Sequence, residues 1–232
     1  MIPTTSERPA RPTTSPPTVT DDAIGTTIGP PFEADDDQAA LALFAHLVTN
    51  TGAGAVLDVG CGPGRATAFL HDLGLTVSGI DIAPAMVEAA RTAHPHLKFE
   101  LGALTSIPRP DDSLAGVVAW YSIIHTPLDH LAAAWRELGR VLRPGGVLLV
   151  AFQAGSGEAV VKPNAHGSGA TLTGYYHAPS DIVASLETAG FSLVDDRCRA
   201  AVFDHETTPQ AFLIAAYSAR TGSMTESTSR LT

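Results

Sequence analysis

Lysine is nearly absent: it occurs only at positions 98 and 162, and the other basic residues are twelve arginines. Fourteen bases stand against 24 acids, for a formal charge of −10. Partners that need a clustered basic field, nucleic acid and anionic membrane surfaces, are therefore not expected. No apolar run approaches the roughly 20 residues of a membrane span. Met1 to Pro17 has no apolar core of the signal-peptide kind, so a cytoplasmic setting is expected. There are only two cysteines, Cys61 and Cys198, which excludes a disulfide framework and a zinc cluster, and no metal is expected. Histidines 94 and 96 flank Pro95, but no third ligand follows nearby, so a surface turn is the reading.

What is present is a globular composition, 44% hydrophobic and 16% charged over 232 residues. Residues 1–31 hold seven prolines and eight threonines with no leucine and no aromatic. Such a stretch buries too little apolar area to offset its ordering entropy, and it reads as a flexible arm. Residues 221–232 read as a Ser/Thr-rich disordered tail. Between them, 32–220 read as one domain with an insertion at about 155–178.

Within that domain strands alternate with helices. Expected helices cover 37–49, 66–73, 84–93, 128–142 and 179–189. Expected strands cover 55–59, 75–80, 97–101, 115–120, 147–152, 191–197 and 210–217, with the last two antiparallel. The alternation predicts an α/β fold with a mostly parallel sheet and helices on both faces.

The segment Val56 to Arg65, VLDVGCGPGR, runs from a buried strand through Gly60, Gly62 and Gly64 into a helix. Glycines there let the backbone turn sharply and approach a ligand. Asp81 follows Gly60 by 21 residues, at the end of the second strand, where a carboxylate can accept both ribose hydroxyls. A dinucleotide fingerprint, G-x-G-x-x-G, would need glycine at 65, which is Arg65. Asp58 beside the loop would also oppose a pyrophosphate. A ligand with an adenosine and a cationic end suits it better.

Four segments in order, VLDVGCGPGR (56–65), VSGIDIAPAMVEAAR (77–91), DDSLAGVVAWYSIIH (111–125) and ELGRVLRPGGVLLVAF (137–152), resemble the class I S-adenosylmethionine-dependent methyltransferases of the small-molecule branch. The resemblance covers roughly 37–217. It implies a Rossmann-like seven-stranded sheet, order 3-2-1-4-5-7-6, and S-adenosylmethionine as cofactor. It implies methyl transfer to an O, N or C atom of a small, secondary-metabolite acceptor, as in bacterial secondary metabolism. An S-adenosylmethionine-binding cyclase on the same fold is the alternative, and a homodimer stays open.

Carried over by position, the resemblance places Gly60, Cys61 and Gly62 against the methionine part and ribose, Asp81 on the ribose hydroxyls, and Ile82 and Met86 against adenine. Asp58 and Trp120 join them as cofactor-side candidates. Relatives often carry an acid after the third strand; here Ala103 holds that position, so the adenine contact falls to backbone, at Leu104, or is missing. Catalytic candidates are His125 and Tyr121, which follow the fourth strand. A histidine titrates near neutral pH and suits proton removal from an acceptor. In the insertion, His166, Tyr175 and Tyr176 are candidate substrate contacts, with a flexible surface lid or an extra hairpin as the alternative reading. Thr207-Thr208-Pro209-Gln210 is expected only to shape a turn.

Overall fold

Strand β1 (Ala55–Val59) is the hub of the sheet, because its residues 56–59 are all buried and it is paired on both sides in parallel. The computed structural model describes residues 34–162, 171–204 and 206–218. The arm expected over 1–31, the tail over 221–232 and His166 lie outside the described residues. From β1 the chain continues through α2 (Arg65–Asp72), β2 (Thr76–Asp81), α3 (Pro84–Ala93), β3 (Lys98–Leu101) and β4 (Leu114–Trp120). Then come α4 (Leu131–Val141), β5 (Leu142–Gln153), the pair β6 (Glu158–Lys162) and β7 (Leu172–Tyr176), α5 (Pro179–Thr188), β8 (Phe191–Arg199) and β9 (Gln210–Tyr217). Helix α1 (Asp35–Asn50) precedes β1.

The sheet order is β3-β2-β1-β4-β5-β9-β8, with β9 antiparallel to both neighbours. With the hairpin strands β6 and β7 left out of the count, this is the expected 3-2-1-4-5-7-6. The numbering differs because the insertion contributes two strands, the extra hairpin that is one of its expected forms. Val160-Val161 and Tyr175-Tyr176 are β-branched and aromatic, and their strands pair antiparallel, with Tyr175 opposite Ala159 and Gly174 opposite Val160. The hairpin is tied to the body by Gly155 N–H on the His177 carbonyl at 2.9 Å and Tyr175 N–H on the Ile124 carbonyl at 2.8 Å.

The central strands are buried on both sides and successive side chains point to opposite faces, so each face packs its own helices. Leu57, Val117, Leu148 and Val150 join α4 and α5 in one core. Val56, Val118, Leu149 and Ala151 join α1 and α2 in the other. Trp135 is fully buried in the first core, and its indole N–H donates to Ser185 Oγ at 2.7 Å, locking α4 to α5. Most element bounds fall within two residues of expectation, and two differ by more. The helix expected over 128–142 begins as a 3₁₀ turn, Leu128–His130. Strand β5 starts at Leu142, because Leu142 still pairs with Leu114 before a bulge takes up Arg143 to Gly146.

Candidate functional site

The carboxyl ends of the parallel strands meet where the chain changes direction between β1 and β4, the usual ligand position in an open α/β sheet. The loop after β1 carries three glycines in the left-handed region, Gly60 (φ 72°), Gly62 (φ 53°) and Gly64 (φ 86°). Their roles differ. A β-carbon on Gly60 would overlap Ser122 Cβ, so Gly60 is glycine because the segment after β4 crosses it. Gly64 faces the Phe99 ring in the same way. A β-carbon on Gly62 would meet nothing within 4 Å, so Gly62 alone presents bare backbone to open space.

Asp81 sits opposite. It is 9% exposed, and its two carboxylate oxygens each take one loop amide: Gly62 N–H at 2.9 Å and Ala83 N–H at 2.8 Å. Each oxygen keeps a second lone pair for another donor. Next to it Ile82 is 75% exposed, an apolar side chain held at the rim. Met86, in the first turn of α3, is half-buried beside this rim.

Asp58 lies beneath the loop with no exposed surface. Its Oδ2 accepts the Thr67 hydroxyl at 2.7 Å, which pins α2 to β1, while Oδ1 has no partner among the described residues. Burial pushes its pKa up to about 7, against the pull of Thr67. Cys61 turns the other way. Its side chain packs with Val87, Ala90 and Phe99, and burial pushes the thiol pKa up, so it is an apolar filler.

These features fit a nucleoside with a cationic tail: bare backbone at Gly62, a doubly anchored carboxylate at Asp81, an exposed apolar plate at Ile82, and an orphaned carboxylate oxygen at Asp58. The family described as a methyltransferase domain matches residues 56–146, the stretch that builds this cradle. Residues 56–146 are a methyltransferase domain.

Among curated relatives, the malonyl-[acyl-carrier protein] O-methyltransferase of Serratia marcescens is 35% identical over 94 residues, 40% of this chain and 36% of that protein. A Mycolicibacterium smegmatis protein named as a probable S-adenosylmethionine-dependent methyltransferase is 33% identical over 143 residues, 60% of this chain and 52% of that protein. The matched stretches thus span between about a third and a half of these relatives. A SAM-dependent methyltransferase structure from Methanosarcina mazei shares the fold, with TM-score 0.64 at 20% identity, covering 72% of this chain and 93% of that one.

At the other end of the cleft in this methyltransferase domain, Trp120 closes β4 and stacks on Phe212, ring centroids 5.5 Å apart. The pairs Trp120↔Ala151 and Ala151↔Phe212 put all three on one face, so the two rings meet over the small alanine. Tyr121 follows in the left-handed region, φ 54°, edge-on to Trp120. Burial pushes its phenol pKa up, helped by the charges of Asp37 and Glu206, so its proton is held and it is a poor base.

His125 is exposed, and its Nδ1 lies 2.9 Å from the Thr173 carbonyl of β7. Tyr176 is buried, and its hydroxyl pairs with Thr207 Oγ1 at 2.9 Å. Tyr175 is half-buried and stacks on His177, which burial keeps toward the neutral form. The segment after β4 thus meets strand β7 twice, through His125 on the Thr173 carbonyl and the Ile124 carbonyl on the Tyr175 amide, while the Tyr176 hydroxyl turns inward to Thr207. Ala103 closes a tight turn, its N–H and carbonyl both bonded to Ser106. Its backbone amide is therefore committed, and the Leu104 side chain packs on the core.

Sequence reasoning missed Arg199. It joins Asp37 of α1 at 2.8 Å and Glu206 at 2.6 Å, all nearly buried, and lies over the Phe203 and Phe212 rings. No local signal could find a pair 162 positions apart. Among the described residues there is no group of three or more His, Cys, Asp or Glu side chains that could hold a metal, and no helix long and apolar enough to cross a membrane.

Proposed function

We propose that this chain transfers the methyl group of S-adenosylmethionine to a nucleophilic atom of a small acceptor, with His125 as proton acceptor. The observation that carries the cofactor half is the doubly anchored Asp81 facing bare backbone at Gly62. When bound, the cofactor supplies an electrophilic methyl on a sulfonium. The chain's task is then to hold the acceptor in line and take its proton, and alignment alone removes much of the barrier.

His125 is suited to the second part. A carbonyl only accepts, so the contact with Thr173 requires the proton on Nδ1. In the neutral ring Nε2 then carries the lone pair, the form a general base needs. Nε2 would take the proton that the acceptor atom sheds on methylation, while Nδ1–H stays on the Thr173 carbonyl and holds the ring in place. The hairpin β6–β7, with Tyr175, forms the wall on which a small acceptor rests. The acidic surface, charge −10, argues against a nucleic-acid acceptor. A cytoplasmic setting fits Cys61 and Cys198, which are both free thiols.

Calorimetry with S-adenosylhomocysteine, with NADH as control, tests the cofactor. Release of S-adenosylhomocysteine from S-adenosylmethionine in the presence of acceptor tests the transfer. Binding without any release would point instead to a cyclase or other non-methylating enzyme on this fold.

A further inference from the structure

Beyond the stacked row Trp120–Ala151–Phe212, the next same-face row of the sheet is polar. The register pairs Gln153 with Gln210 and Gln210 with Arg199, so three polar side chains cap the aromatic stack at the carboxyl end of β5 and β8. Two members of the row are committed. Arg199 is taken by Asp37 and Glu206, and Gln210 Nε2 donates to the Thr208 carbonyl at 2.7 Å. Ala154 N–H donates to the Pro209 carbonyl at 2.8 Å, which fixes the Thr208 turn against the end of β5. What remains uncommitted is Gln153 Oε1 and Thr208 Oγ1, both buried and without a hydrogen-bond partner among the described residues.

Two orphaned polar atoms, contributed by two adjacent segments at the edge of one aromatic surface, are costly to the fold and call for an explanation in ligand binding. We infer that Gln153 and Thr208 form a recognition subsite for a neutral hydroxyl on the acceptor. This rests on the reading above that the chain methylates a small acceptor, and it places one end of that acceptor at the carboxyl end of β5.

The chemistry selects that group. A hydroxyl both donates and accepts, so it can satisfy the Gln153 amide and the Thr208 hydroxyl together. The neighbouring ion cluster has two carboxylates, Asp37 and Glu206, for one guanidinium. Its residual negative charge disfavours an acceptor that brings a carboxylate. The indole and phenol rings of Trp120 and Tyr121 at the margin favour a planar body. The held hydroxyl is a handle; the reacting atom lies elsewhere on the same molecule.

The test uses three probes on the full chain saturated with S-adenosylhomocysteine: 2-naphthol, 2-methoxynaphthalene and 2-naphthoate, titrated by ligand-observed NMR. The wild type should bind 2-naphthol at least about fivefold more tightly than either of the others. Gln153→Leu and Thr208→Val should each erase that preference while leaving affinity for 2-methoxynaphthalene and for S-adenosylhomocysteine unchanged. Because Gln153→Leu removes an orphaned buried atom, its melting temperature should hold or rise, and this separates lost recognition from lost folding. Equal affinity for 2-naphthol and 2-methoxynaphthalene in the wild type, preference for 2-naphthoate, or a preference that survives both substitutions overturns the subsite. Should calorimetry show no S-adenosylhomocysteine binding, the methyltransferase reading fails separately, and the same ranking on the free protein still decides the subsite.

Discussion

Asp81 reaches back from the end of β2 to hold the Gly62 amide at 2.9 Å, so the carboxylate proposed to meet the cofactor also shapes the loop proposed to meet it. Its second oxygen holds Ala83 at 2.8 Å, which fixes the entry to α3. Binding and loop geometry are therefore coupled through one side chain.

Asp81→Ala should weaken S-adenosylhomocysteine binding at least about tenfold, since charge-assisted hydrogen bonds contribute roughly 1.5–3 kcal/mol each. It should also lower stability, by about 1–3 kcal/mol, because two loop amides lose their acceptor. Calorimetry and urea unfolding read the two losses. An affinity that does not change would remove Asp81 from the site.

The two glycines that look alike in sequence should behave differently. Gly62→Val should abolish cofactor binding in a protein that still folds, since its side chain enters open space, at about 1–2 kcal/mol for the left-handed backbone. Gly60→Ala should instead compromise folding, because the added carbon overlaps Ser122. Circular dichroism and calorimetry on the pair check this; a Gly62→Val protein that binds normally would show that the loop does not meet the ligand.

Asp58 makes pH a probe of the site. Its native pKa, about 7, lies above the ordinary carboxylate value of 3.8. Between those values the native state holds a proton that the unfolded state has released, so stability falls as pH rises across this window, by on the order of a few kcal/mol. Asp58→Asn keeps the Thr67 contact and should lose this dependence. In the wild type, ionisation near pH 7 should favour the cationic S-adenosylmethionine over the uncharged sulfur of S-adenosylhomocysteine. The affinity ratio should therefore climb with pH, and stay flat in Asp58→Asn. Parallel curves for the two proteins would mean that Asp58 does not sense the ligand.

Arg199 holds Asp37 at the start of α1 to Glu206 in the loop before β9, so its loss leaves two nearly buried carboxylates without a counter-charge. Arg199→Ala should destabilise by about 3–5 kcal/mol. The Arg199 hydrogen bond pulls the Glu206 pKa down to about 2. That depressed value stabilises the fold above the ordinary glutamate range, and the contribution disappears as pH falls toward 2. Unfolding profiles should show the acid limb in the wild type and a weaker one in Arg199→Ala.

What was legible in the sequence is what local spacing encodes. Asp81 and the glycine loop sit within one strand–loop–helix–strand unit, so their juxtaposition follows from alternation and chain length alone. The Asp37–Arg199 pair and the row Gln153–Gln210–Arg199 depend on how β5, β8 and β9 register, which no local pattern specifies. Thr207 and Thr208 read as turn residues for the same reason, although one holds Tyr176 and the other ends beside β5. Tyr121 stood beside His125 as a competing catalytic candidate; its burial and left-handed backbone, both tertiary effects, argue against it as a base.

His125 carries the sharpest prediction. Its Nδ1 is held by a backbone carbonyl, so no substitution at Thr173 removes the partner, and the histidine itself must be changed. If Nε2 takes the acceptor proton, His125→Ala should lower kcat by roughly 10²–10⁴ and flatten the acidic limb of the pH–rate profile. Tyr121→Phe should keep that limb, because its proton is held by burial; any loss there should appear in KM through the changed wall beside Trp120. His125→Gln separates base from strut. Its side chain can still donate to the Thr173 carbonyl, so a purely structural role would be rescued, whereas proton removal would not. Hairpin anchoring should persist in all three variants through the Tyr175 amide on Ile124, so stability should change little. A His125→Gln protein with wild-type turnover and an intact acidic limb would show that in-line positioning suffices and that the acceptor sheds its proton to water.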